Sequence, residues 1–126
     1  MQSVARYGTR DIERAKIFYD GIAQLLGAKR VFERPELVAY KGADGGMFII
    51  GQPLAGEATA GNGTQVGLTA PSRAIVDAVH AKALELGGKC EGPPGIRGTD
   101  PNGFYGAYFR DPDGNKFVVS RFGPPD

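Results

Sequence analysis

The chain offers little of what acid–base, nucleophilic or metal chemistry needs. Its 126 residues contain one histidine, His80, and one cysteine, Cys90. A single imidazole needs companions to hold a cation, and none is suitably spaced around His80, which falls beside Val79 and one turn from Val76 and Leu84. It reads as a surface or half-buried structural histidine. Cys90 would be a nucleophile only with a base nearby and a lowered thiol pKa; its sequence neighbours supply neither, so it reads as a small buried thiol. Glu33, Glu36 and Asp44 fall on strand ends or turns, as solvated charges do. Arg6 is different. An arginine in the middle of an apolar strand is costly to bury unpaired, so it requires a carboxylate, a phosphate or an anionic ligand, or else it snorkels to the mouth of a cavity. Arg97 and Asp100 sit in the glycine- and proline-rich run 92–103. They reach toward a ligand or pair with each other in solvent, and the pairing is the default.

The elements that position these groups are organised around Arg110-Asp111-Pro112-Asp113-Gly114-Asn115-Lys116. Pro112 fixes φ at the second turn position, Asp111 accepts from amides ahead of it, and Gly114 supplies a positive φ. The flanks 104–109 and 117–122 are aromatic and β-branched, which predicts a hairpin. Upstream, residues 3–9 read as a strand. Asp11 caps a helix whose Ile12, Ala15, Phe18, Tyr19, Ile22, Leu25 and Leu26 recur at three- and four-residue spacing, and Gly27 ends it. Short strands are expected over 29–34, 37–40 and 47–51. After an aperiodic linker, 53–63, the pattern repeats: strand 64–69, N-cap Ser72, a helix carrying Ile75, Val76, Val79, Ala83, Leu84 and Leu86, and Gly87-Gly88. A short strand at 89–91, a loop over 92–103 and the hairpin follow. Asp11 to Ser72, Gly27 to Gly88 and Val4 to Gln65 are each 61 residues apart. A constant offset marks an internal duplication, with a first module over about 1–52 and a second over about 64–126 of one domain.

Composition narrows the function. Fifteen basic and fourteen acidic side chains give a net charge of +1, and neither sign clusters along the chain, so nucleic acid and anionic membranes are not expected partners. The lone cysteine excludes an intrachain disulfide and suits a reducing cytoplasm. No apolar run is long enough to span a membrane, and the first residues lack the apolar core of a signal peptide. A soluble cytoplasmic protein is expected.

A four-stranded sheet with one covering helix leaves its other face bare, and two such sheets side by side can curve around a hollow. Strand alternation then sends Ala5, Tyr7, Val66 and Leu68 toward the helices, and Val4, Arg6, Gln65 and Thr69 toward the hollow. Tyr108 lies opposite Val118 if Arg110 opposes Lys116, and Phe104 adds an aromatic group to that wall. These seven residues, Val4, Arg6, Gln65, Thr69, Phe104, Tyr108 and Val118, are the candidate ligand-binding set.

Paired strand-helix-strand-strand-strand modules, the helix start Arg10-Asp11-Ile12-Glu13-Arg14-Ala15 with Phe18-Tyr19, and the terminal turn together resemble the vicinal oxygen chelate, or glyoxalase/bleomycin-resistance/dioxygenase, superfamily. The resemblance covers nearly the whole chain. It implies an α+β fold of tandem βαβββ modules, a curved mixed sheet around a cavity with helices outside, and frequent homodimers. It also implies one of several functions: metal-dependent lyases, isomerases and ring-cleaving dioxygenases, or metal-free binders of a drug or other small molecule.

In metal-using relatives a histidine stands seven residues before the Asp that opens the first helix, a second at the matching place in the second half, and a carboxylate just after the Asn-Lys of the terminal turn. Here the resemblance puts Val4, Gln65 and Val118 at those places. Two aliphatic groups and one carboxamide offer no deprotonated donor, and shifting the alignment by one residue does not help. The expectation is a metal-free protein with no cofactor that binds a small polar or anionic organic molecule. A lyase or dioxygenase with an atypical metal site and a non-catalytic scaffold are the alternatives.

Overall fold

The computed structural model describes residues 2–126. The elements run β1 (Val4–Gly8), α1 (Ile12–Leu26), β2 (Lys29–Arg34), β3 (Leu37–Lys41), β4 (Met47–Gly51), β5 (Val66–Thr69), α2 (Arg73–Glu85), β6 (Lys89–Arg97), β7 (Phe104–Arg110) and β8 (Lys116–Phe122). They form two mixed four-stranded sheets, ordered β1-β4-β3-β2 and β5-β8-β7-β6. The fold is α+β, with helices outside, as the repeat pattern implies. In each sheet the first strand of the module lies parallel to the last and the other pairings are antiparallel. β1 and β5 are therefore edge strands, and the expected curved sheet consists of two.

The helices start where their caps dictate. Asp11 accepts from the Arg14 amide and Ser72 from the Ile75 amide, which satisfies donors that the first turn leaves unpaired. Their ends differ by one residue from the expected offset. Gly27 takes φ 71° after α1, whereas after α2 the positive φ, 100°, is at Gly87. Gly88 is needed for a different reason: a Cβ there would lie 2.5 Å from the Arg110 carbonyl oxygen and 2.8 Å from that of Ala83.

The run 92–103 is not wholly a loop. β6 continues through it to Arg97, because irregular pairing between Cys90 and Gly92 and between Gly92 and Gly95 absorbs the prolines that a regular strand would exclude. Only about 98–103 remains a connection. Cys90 is likewise exposed rather than buried, since β6 is an edge strand with a neighbour on one side only.

The helix-covered sides of both sheets share one core. Phe117 of β8 is fully buried and lies 5.2 Å from Tyr7 of β1, 5.9 Å from Tyr19 of α1 and 5.3 Å from Phe109, between ring centroids. The first helix thus packs on the second module as well as its own. The terminal turn is the latch between the modules. Tyr7 donates to the Lys116 carbonyl at 2.7 Å and Asn115 Nδ2 to the Gly8 carbonyl at 3.0 Å. The Asp113 carboxylate accepts from Thr9 Oγ1 at 2.5 Å and the Arg10 amide at 3.0 Å, with Arg14 Nη2 at 3.0 Å. Inside the turn, Asp111 accepts from the amides of Asp113 and Asn115, and Gly114 takes φ 90°.

Candidate functional site: the open faces of the two sheets

Register decides which side chains the helices leave uncovered. Tyr108 opposes Val118, Arg110 opposes Lys116 and Phe104 opposes Phe122, while Phe109, Phe117, Ala107 and Val119 are buried on the helix side. Opposed residues share a face. Thr69 and Gly67 align with Ser120 and Val118 on the same open face. On the first sheet Arg6 aligns with Ile49 and Val4 with Met47, away from buried Tyr7 and Ile50. The alternation expected for β1 and β5 therefore matches the register, except that Gln65 stands just before β5 rather than in it.

The seven candidate residues are divided between the two faces. Phe104, Tyr108, Val118 and Thr69 are neighbours on the second sheet. Val4, 63% exposed, and Arg6 lie on the first. Arg6 Nη2 donates to the Gln52 carbonyl at 3.0 Å and makes no ion pair among the described residues. The strand around it is an edge at the surface, so its charge stays in water. Of the seven, Thr69 alone lines either of the two principal cavities. The larger, about 680 Å³, lies between β1, β4 and β5 and is walled by Phe48, Leu68 and Tyr40. The smaller, about 440 Å³, is a notch between Thr9, Arg10 and the linker residues Pro53 to Ala58.

Charge is not spread as the linear order implies. Arg6, Lys29, Arg34 and Lys41 fall on the open face of the first sheet, and Lys89, Arg97, Arg110 and Lys116 on that of the second. These are eight of the 15 basic side chains, and they meet one of the 14 acidic ones, Glu91. Arg110 holds the Glu91 carboxyl below its ordinary pKa. Three other carboxylates pair away from these faces: Asp20 and Glu33 bind Arg30 on the helix side, and Asp113 binds Arg10 and Arg14. The sequence signal was there, in the alternation of Lys and Arg with apolar residues, but only strand register converts it into a face.

Arg97 does not pair with Asp100. Its guanidinium folds back over β6, with Nη2 donating to the Pro93 carbonyl at 2.6 Å and Nη1 to that of Gly95 at 3.1 Å. His80 is more buried than expected, and its Nε2 lies 3.2 Å from Cys90 Sγ. Burial lowers the imidazole pKa, against the pull of Asp77. Val4, Gln65 and Val118 do not fit a metal ion: among the described residues no cluster of three His, Cys, Asp or Glu side chains could hold one, and these three supply no anionic donor.

Two duplicated βαβββ units with helices on one side and bare sheet faces on the other define a glyoxalase-type protein. The sequence agrees: residues 3–119 match the model of the Glyoxalase/Bleomycin resistance protein/Dioxygenase superfamily, and the chain belongs to that superfamily. It is similar to a glyoxalase/bleomycin resistance protein from Albidiferax ferrireducens T118, at 38% identity and TM-score 0.84, over 94% of this chain and 95% of that one. A glyoxalase-related enzyme from Fulvimarina pelagi shares the fold at 21% identity and TM-score 0.71, over 95% and 86% of the two chains. The fosfomycin resistance protein FosX from Mesorhizobium loti does so at 20% identity and TM-score 0.66, over 95% and 90%. No curated protein matches the chain.

Proposed function

We propose that the chain binds a small organic anion on the open faces of its sheets, without a metal ion, and that a second copy of the chain covers the bound molecule. The sorting of charge by strand register carries this reading: eight cations on the two faces, of which Arg110 alone forms an ion pair among the described residues, in a chain whose net charge is only +1. Like charges gathered four to a face repel, and the arrangement is favourable when an anion sits among them. A small molecule suits these faces better than a nucleic acid, because the cations alternate with Ile49, Met47, Phe104 and Val118, which ask for an apolar body on the ligand.

Calorimetric titration of chelator-treated protein with matched carboxylates, phosphonates and neutral alcohols tests the reading. Anions are expected to bind, and Zn²⁺, Ni²⁺ or Mn²⁺ to leave both Tm and anion affinity unchanged. A metal that raises Tm in proportion to its concentration, or neutral analogues that bind as tightly as anions, refutes it. Sedimentation velocity tests the covering copy: a monomer at every concentration, with and without anion, rejects it. An exposed, unpaired Cys90 accords with a reducing cytoplasm.

A further inference from the structure

Resting on that reading, we infer that Arg97, seated on Gly92 and Gly95, is the principal anchor for the anionic group, with Lys116 flanking it across the Tyr108 ring. The Arg97 guanidinium carbon lies 5.5 Å from the Tyr108 ring centroid and Lys116 Nζ 5.7 Å from the same centroid. Neither cation forms an ion pair with a carboxylate among the described residues. The seat is cut to shape. A Cβ at Gly92 would come within 3.1 Å of Arg97 Nη2 and of Tyr108 Cδ1, and one at Gly95 within 3.2 Å of Arg97 Nη1. Two glycines thus let a long, flexible side chain lie flat on its own strand, where the Pro93 and Gly95 carbonyls fix its plane.

A guanidinium has five N–H donors, and these two bonds leave the others for a ligand. Orienting an arginine in advance removes much of the side-chain entropy that binding would otherwise cost. The forked donor geometry fits two oxygens of one group, so the ligand carries a carboxylate, phosphate or phosphonate. Next to Val118, the neighbour of Tyr108, the face has room: a Cβ at Gly67 would find only Val118 Cγ1, at 3.6 Å. The organic part of the ligand rests there.

The test uses the full chain and phenylphosphonate, followed by heteronuclear NMR at the Arg97 Nε–H and the amides of Gly92 and Tyr108. Inorganic phosphate and benzyl alcohol serve as controls. Saturable shifts with phenylphosphonate are expected, and R97Q should weaken binding by about tenfold or more. G92A keeps the charge but displaces the guanidinium, and should weaken binding in the same direction. K82Q, on α2 where Lys82 pairs with Glu85 away from the open faces, should bind as the parent does. If phenylphosphonate binds R97Q as tightly as the parent, the anchor is wrong while anion binding stands. If benzyl alcohol binds as tightly as phenylphosphonate, or neither binds saturably, the anion reading itself falls, and this inference with it.

Discussion

Asp113 shows how a residue in a surface turn comes to hold a fold together. Burial opposes its charge, yet the bonds from Thr9 and the Arg10 amide, with Arg10 and Arg14 beside it, keep its carboxyl below the usual pKa. Charge-assisted bonds of this kind contribute about 1.5–3 kcal/mol each way of counting, so D113N should lose stability of that order in urea unfolding at neutral pH. A carboxyl with a depressed folded pKa stabilises above its unfolded value of 3.8 and loses that contribution as pH falls through the folded one. The gap between D113N and the parent should therefore close in acid; a constant gap would mean that the charge is irrelevant. His80 runs the other way. Burial favours its neutral form, so below its unfolded pKa of 6.5 the unfolded chain takes up a proton that the folded chain refuses. Stability should fall as pH drops below 6.5, with a shallower slope in H80Q. Parallel slopes in the two proteins would show that His80 is not the group responsible.

At the scale of elements, the two helix ends offer a controlled comparison. Gly27 has φ 71° and nothing within 4 Å of its missing Cβ, so G27A isolates the backbone cost of a left-handed residue, about 1–2 kcal/mol. Gly88 lacks that conformation but is pressed against two backbone carbonyls. Since backbone cannot rotate aside as a side chain can, G88A should destabilise more than G27A in thermal or urea melts, and the reverse order would contradict the packing described. β6 makes a related point. Gly and Pro predict a loop over 92–103, and they are right about local irregularity but wrong about pairing. An edge strand tolerates missing donors on its outer side, and its bulges lay Arg97 across two glycines.

For the whole molecule, the shared aromatic core is the governing feature. Phe117 is wholly buried between rings of both modules, so F117A should cost about 3–5 kcal/mol. Because the modules share this core, circular dichroism and tyrosine fluorescence should report one coincident unfolding transition. Two separate transitions would show that the modules fold independently. The basic faces carry a second expectation. Exposed charges are screened beyond about 8 Å at physiological ionic strength, so anion affinity should decline steadily as salt is added.

The sequence by itself determined the periodic and local features. Helix caps at Asp11 and Ser72, the bend at Gly114, the duplication and the placement of Tyr108 opposite Val118 follow from short-range sterics, hydrogen bonding and alternation, all written in neighbouring residues. The superfamily was legible for the same reason. What only the tertiary structure decided is whatever depends on which strands lie side by side: a division into two sheets, an exposed Cys90 beside a buried His80, Arg97 folded over glycines instead of bonded to Asp100. The sorting of charge belongs here as well. Cations far apart in the chain share a face only after parallel and antiparallel registers are set, and outside the hairpins those pairings join strands about 40–50 residues apart, which no local window of sequence contains.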